Sequence, residues 1–321
     1  MSQVDIRESG NQLKEVEHQI TVTAPADTIY RLIADVANWP QIFPPSVHVE
    51  YVERGESEER IQIWATANGA AKTWTSRRKL DPRALRVDFR QDRSQDPVAA
   101  MGGAWVIEAI SDGESLVRLL HGYRAVDDDP EKLEWIDRAV DRNSRAELAA
   151  LKANAELAGG DSALLLTFDD TVRVDGSAKD VYDFLNDADL WAERLPHVAK
   201  VSMQEDTPGL QVLEMDTRTK GGGVHTTRSV RVAFPHRMIA YKQIEVPALM
   251  TLHTGQWTVR EDGSGVSVTS QHTVAINEAN IAKVLGQDAG VDDARKFVRE
   301  ALSTNSLTTM RHAKEYAERR R

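Results

Sequence analysis

The sequence predicts an α+β protein made of two tandem copies of one domain, each a curved antiparallel sheet around a long C-terminal helix. Three observations predict it. The second half of the chain repeats the first in order. Each half runs as a strand, two short helices, several strands and one long amphipathic helix. The stretch "ELAGGDSALLL", with Gly159 and Gly160, ends the first long helix and begins a new strand, so the domains are expected at residues 1–159 and 160–321. A chain of 321 residues with 41% hydrophobic content can fill two cores.

Each copy opens on a strand leading into a short helix. "VTAPADTIYRLIADVANW", ending at Trp39, places Ile29, Leu32, Ile33 and Val36 at helical spacing. "VDGSAKDVYDFLNDADLW", ending at Trp191, places Val181, Phe184, Leu185 and Ala188 at the same offsets. Strands follow, divided by turn signals at "ERGESEER" and "NGAAK" in the first copy and "EDTPG", "KGGGV" and "EDGSGV" in the second. "TSRRKLDPRALRVDFRQ" stands against "TTRSVRVAFPHRMIAYKQ", and Trp105 against Trp257. Long helices carrying "DRNSRAEL" near Asn143 and "STNSLTTM" near Asn305 close the copies. A bent sheet gripping such a helix leaves a hollow between them.

Composition excludes several functions. With 50 acidic against 40 basic residues and a formal charge of -10, the chain has no electrostatic footprint for nucleic acid or an anionic membrane. The absence of cysteine removes disulfides, thiolate nucleophiles and cysteine-ligated zinc. "MSQVDIRESGNQLKEVEHQ" has no apolar core of signal-peptide length and no later run could cross a bilayer, so a soluble, cytoplasmic protein is expected. The zinc-binding His-Glu-x-x-His helix, the phosphate-cradling Gly-Lys-Ser/Thr loop and the Gly-x-Ser-x-Gly elbow are missing.

Polar residues recur where the pattern asks for apolar ones. Strand residues two apart share a face, so Trp74, Ser76, Arg78 and Leu80 point together, as do Val224, Thr226, Arg228 and Val230 in the repeat. A lone arginine there would snorkel to the rim or pair with a buried carboxylate; its recurrence favours an inward, functional guanidinium. In the long helices Ile136 and Val140 lead to Asn143, and Val298, Ala301 and Leu302 lead to Asn305. An amide buried without partners costs about 1–3 kcal/mol, so each asparagine needs either a strand backbone or a ligand. "SLVRLLHGY" sets Val117, Leu119, His121 and Tyr123 on one face. Ungapped pairing puts Gln271 opposite His121, yet Val266 and Val268 share parity with His272; either the outer face of that strand packs on the other domain or the register is one residue out. Five tryptophans, Trp39, Trp64, Trp74, Trp105 and Trp135, lie in the first copy and two in the second, which points to the first hollow as the reaction site.

On "VTAPADTIYRLIADVANWPQIFPPSVHV", "TWTSRRKLDP", "MGGAW" and "DRNSRAEL", then "DADLWAERLPHV", "LEMDT", "HTTRSVR" and "STNSL", the whole chain resembles the di-domain aromatase/cyclases of bacterial type II aromatic polyketide synthases. The resemblance implies the helix-grip fold shared with START and Bet v 1-like proteins. It also implies an activity in antibiotic biosynthesis: first-ring aldol closure, dehydration, or both, on a poly-β-ketone carried by an acyl carrier protein. In the di-domain group closure joins carbons seven and twelve, or a ring whose ketone was already reduced is aromatised. Family pocket positions fall on Ser76, Arg78, Trp105 and Asn143, and on Thr226, Arg228, Trp257 and Asn305 in the second copy. His121 and Gln271 fall where the family has His or Gln. Ser46 and Val198 stand where some single-domain relatives place a pocket tyrosine. The implied roles are Arg78, and Arg228 in the second copy, on a ketone oxygen gaining enolate charge, Ser76 and Asn143 as neutral donors, and His121 moving the proton. Trp74, Trp105, Tyr123, Thr226, Trp257, Gln271 and Asn305 would contact substrate. Expected partners are the acyl carrier protein and other synthase components, with no metal or organic cofactor. The alternative is a non-catalytic protein that binds or transfers a lipid or polyketide.

Overall fold

The computed structural model describes residues 13–67, 70–158, 163–218, 222–263 and 265–321. The chain divides into two compact units, each built on one seven-stranded antiparallel sheet, as the repeat predicts. The boundary expected at 159/160, the N-terminal stretch before residue 13, residues 68–69 at "NGAAK", 219–221 at "KGGGV" and 264 at "EDGSGV" lie outside the described residues.

The first sheet comprises β1 (Lys14–Val22), β2 (Ser46–Arg54), β3 (Glu58–Ala67), β4 (Ala70–Asp81), β5 (Arg86–Gln91), β6 (Val98–Ser111) and β7 (Glu114–Ala125). Its order is β1-β7-β6-β5-β4-β3-β2, so the first strand closes on the last. Helices α1 (Ala26–Ala34) and α2 (Trp39–Ile42) follow β1, and α3 (Pro130–Ala158) follows β7. The second unit repeats this with β8 (Leu165–Val174), α4 (Ala178–Asn186), α5 (Trp191–Arg194), β9 (Val198–Thr207), β10 (Leu210–Arg218), β11 (Val224–Phe234), β12 (Met238–Glu245), β13 (Met250–Asp262) and β14 (Gly265–Ile276). It ends on α6 (Ile281–Leu285) and α7 (Val291–Glu318), with sheet order β8-β14-β13-β12-β11-β10-β9.

Alternation along the strands selects the face that meets the helices. Val87, Trp105, Ile107, Val117 and Leu119 pack against Ile29 and Ile33 of α1 and Leu148 and Leu151 of α3. Ile239, Trp257, Val259, Val266 and Val268 pack against Val181, Phe184 and Leu185 of α4 and Met310 and Ala313 of α7. Among the described residues no helix is long and apolar enough to cross a membrane.

Candidate active site

Arg78 points inward, as strand parity demands, but its donors are consumed by protein. The guanidinium meets Glu59 at 2.6 Å, the carbonyl of Ile33 at 2.8 Å and that of Ala34 at 3.2 Å, and it lies 5.0 Å from the Trp39 ring centre. Both carbonyls belong to the last turn of α1, whose oxygens have no partner within the helix and carry the negative end of its dipole. The arginine therefore ties the middle of the sheet to the end of α1. Its side chain is 1% exposed and that of Glu59 5%, so no surface is left for a ketone oxygen. Burial pushes the Glu59 carboxyl up and the Arg78 guanidinium down, and each is opposed by the partner's charge.

The equivalent residue in the second unit is Arg231 rather than Arg228. Arg231 donates to the carbonyl of Leu185 at 2.6 Å and lies 5.3 Å from the centre of Trp191, which itself matches Trp39. Arg228 and Arg231 are three apart in "TTRSVR" and so face opposite ways. Arg228 is half-buried on the outer face, and Thr226 beside it is exposed and bonds Asp216 at 2.6 Å. Strand pairing agrees with the assignment, since Arg78 faces Phe89 while Arg231 faces Tyr241, across a β11–β12 turn one residue shorter than the β4–β5 turn. The β13–β14 turn is shortened too, so Gly255 faces His272 as Gly103 faces His121. Gln271 consequently lies on the outer face, and His272 is the counterpart of His121.

The helix asparagines are displaced in the same manner. Asn143 is exposed and Asn305 only half-buried; the inward positions are Ser144 and Ser306. One residue along a helix turns its side chain by about 100°, and the buried series Ile136, Val140 continues at Ser144, Leu148 and Leu151. Three other expected pocket residues are bound within the protein. Ser76 donates to the Arg90 carbonyl at 3.0 Å, Tyr123 donates to Asp137 at 2.6 Å, and Trp105 is buried against Phe43 with ring centres 5.9 Å apart. Trp257 is likewise core, and Trp74 is half-buried against the β2–β3 cluster around Ile61.

His121 and Ser144 meet between the first sheet and α3, and Glu147 lies on the same side of that helix. The Ser144 hydroxyl lies 3.4 Å from His121 Nδ1, and the Phe89 ring meets the imidazole edge-on with centres 5.5 Å apart. Gly103 makes that packing possible, since a Cβ there would stand 2.7 Å from the tip of Phe89. Glu147 follows Ser144 by three residues and so shares its helix face. Protein encloses its carboxyl and pushes it up to about 7, while the residue as a whole keeps part of its surface accessible. Glu147 has no hydrogen bond or ion pair to any described residue. His121 is also half-accessible, and burial, aided by a charge on His18, drives it down to about 4. An enclosed carboxylic acid and a neutral imidazole can give and take a proton without holding a lasting charge. Sequence reading missed Glu147, although a carboxylate two turns beyond Val140 on a buried stripe was a legible signal.

A polyketide cyclase/dehydrase and lipid transport family model matches residues 14–156 and again 166–315. The granaticin polyketide synthase bifunctional cyclase/dehydratase of Streptomyces virginiae is 54% identical over 295 residues, 91% of this chain and 96% of that one. The actinorhodin polyketide synthase bifunctional cyclase/dehydratase of Streptomyces coelicolor is 47% identical over 308 residues, 93% and 95% of the two chains. Among solved structures, the di-domain aromatase/cyclase BexL from the BE-7585A biosynthetic pathway superposes with a TM-score of 0.89 at 62% identity, covering 95% of this chain and 99% of that one. The di-domain aromatase/cyclase StfQ from the steffimycin biosynthetic pathway gives 0.86 at 36% identity, with the same coverage.

Proposed function

Because the chain belongs to the polyketide cyclase/dehydrase family, we propose that its first domain takes an enolisable poly-β-ketone into the hollow at His121 and Glu147, closes a six-membered ring by aldol addition and eliminates water. The substrate is carried by an acyl carrier protein and presented by other synthase components, in keeping with the relatives named for polyketide synthases. Methylenes between two ketones are acidic already, so the hollow contributes mainly by holding one folded geometry of the chain. The neutral imidazole of His121 takes the methylene proton, the carbanion attacks a ketone carbon, and the Glu147 acid protonates the new alkoxide. Once the proton has passed back from His121 to Glu147, the same pair serves elimination. The imidazole removes the neighbouring carbon's proton, and the hydroxyl leaves as water with the proton of Glu147. Arg78 has no part in this; it is a structural tether.

The observation that carries the reading is Glu147, a carboxyl that keeps its proton to near neutral pH on the helix face that touches His121. In a reconstituted synthase, His121→Gln and Glu147→Gln should each lower ring-closed product about a hundredfold, while Asn143→Ala changes it by less than about twofold. Product formation should also fall as pH rises through 7, where the acid ionises, and Glu147→Gln should flatten that limb. If both glutamine variants turn over like the parent chain, carriage without catalysis is the function that remains.

A further inference from the structure

The second domain is not a silent copy. At three positions facing its interior it bears a proton-carrying side chain where the first domain has an apolar one: Tyr241 for Phe89, His253 for Met101 and Ser270 for Leu119. These groups gather on His272. The Tyr241 hydroxyl and His253 Nε2 each lie 3.0 Å from His272 Nδ1. On the other side of the ring, His272 Nε2 lies 2.7 Å from the Ser306 hydroxyl and 3.1 Å from that of Ser270. Phe168 stacks on His272 with ring centres 5.1 Å apart, fixing its plane. Gly255 gives the phenol its place, since a Cβ there would stand 2.4 Å from the Tyr241 oxygen.

Proton accounting gives each atom a role. With His272 Nε2–H donated to Ser306, the Nδ1 lone pair is left for two donors, Tyr241 O–H and His253 Nε2–H, which compete for it. His253 Nδ1 is then a bare lone pair. It is buried on a side chain only 2% exposed, with no hydrogen-bond partner among the described residues, and Gln243 Oε1 on the neighbouring strand is partnerless as well. Buried polar atoms are ordinarily satisfied, so two unsatisfied ones on one face mark a place for a ligand. Tyr241 and Gln243, on that face, keep accessible surface.

We propose that this constellation is a second reaction site, a relay that converts an enolisable ring ketone into its enol. It rests on the polyketide reading above, whose cyclised product has such a ketone. The C–H proton beside the ketone passes to His253 Nδ1 as the carbon–carbon double bond forms, and the ketone oxygen takes the proton of Tyr241. His253 releases its Nε2 proton to His272 Nδ1, which hands it on to the phenolate oxygen. One C–H bond breaks and one O–H bond forms, with no oxidant or reductant. His253 is left as its other tautomer and resets by exchange with water as the ligand leaves. Because one proton departs from Nε2 as another arrives at Nδ1, no buried imidazolium has to persist. That suits two imidazoles which burial holds below the ordinary histidine range. The phenol stays protonated and ready to donate, since burial pushes Tyr241 up.

The test is α-proton exchange of 2-tetralone in heavy water, followed by proton NMR with the purified full chain. The parent chain should speed exchange over buffer, and Tyr241→Phe and His253→Gln should each lower the protein-catalysed rate at least about tenfold. Tyr241→Phe keeps the ring and should unfold at the parent's temperature, which separates lost chemistry from lost fold. The assignment is overturned if the parent chain does no better than buffer, if Tyr241→Phe exchanges as fast as the parent, or if exchange disappears with His121→Gln. Ring closure that survives His121→Gln in the reconstituted synthase would instead sink the first-domain reading alone.

Discussion

Replacing Arg78 with alanine should cost the first domain about 3–5 kcal/mol of stability, the usual consequence of removing one partner of a buried ion pair. The Glu59 carboxylate and the Ala34 carbonyl lose the guanidinium, and the Ile33 carbonyl is left with the Trp39 indole N–H alone. Glu59 is too deeply enclosed for water to replace the guanidinium. Denaturant unfolding followed by tryptophan fluorescence should report the loss, because five of the seven tryptophans belong to the first domain. Arg231→Ala should cost less. In the second domain the position of Glu59 is taken by Gln211, which donates to Asn186 and Glu205, so only the Leu185 carbonyl and the packing on Trp191 are lost. Equal midpoints for Arg78→Ala and the parent chain would contradict the tether. A fall in ring closure by that variant is therefore a stability effect until the remaining folded fraction has been measured.

Acidification should destabilise the second domain more steeply than the first. In the unfolded chain a histidine binds its proton below pH 6.5, whereas folded His272 resists until about 4. Between those values the unfolded state holds more protons, so stability falls as pH falls, by roughly 3 kcal/mol from His272 alone. His253, held well below the ordinary histidine value by burial and by a charge on His272, adds a contribution of the same sign. In the first domain His121 acts likewise, but Glu147 opposes it. Its folded carboxyl keeps a proton up to about 7 that the unfolded one sheds near 4.5, so that contribution strengthens the fold on going down through the same window. Unfolding free energies at pH 7.5 and pH 5 should show the difference, and His253→Leu should flatten the slope of the second domain. A parent chain equally stable at both values would mean that these imidazoles are not neutral in the fold.

Backbone architecture was the legible part of the sequence. The repeat, the helical spacing around Ile29 and Val181 and the closing helices all follow from periodicities of about 3.6 and 2, which survive any local slip. The site was less legible because it depends on single-residue offsets. The two halves are not related by one constant offset: paired through their strands, Arg78 stands at Arg231, Phe89 at Tyr241 and His121 at His272, so an ungapped comparison lands on Arg228 and Gln271 instead. Asn143 and Ser144 are neighbours in sequence but about 100° apart around α3, and only the second faces inward. Parity placed Arg78 inside correctly and was silent on who meets it there. Glu59 and the end of α1 are distant in sequence, and no local pattern announces them.

The guanidinium tether bears on how two copies of one scaffold can diverge. Its bonds to α1 and α4 go to main-chain oxygens, present whatever residues occupy positions 33, 34 and 185. An anchor indifferent to its neighbours' identity leaves the rest of the interior free to change: Phe89 against Tyr241, Met101 against His253, Glu147 against Thr309. New chemistry can thus be tried within either half while α1 or α4 stays where it was.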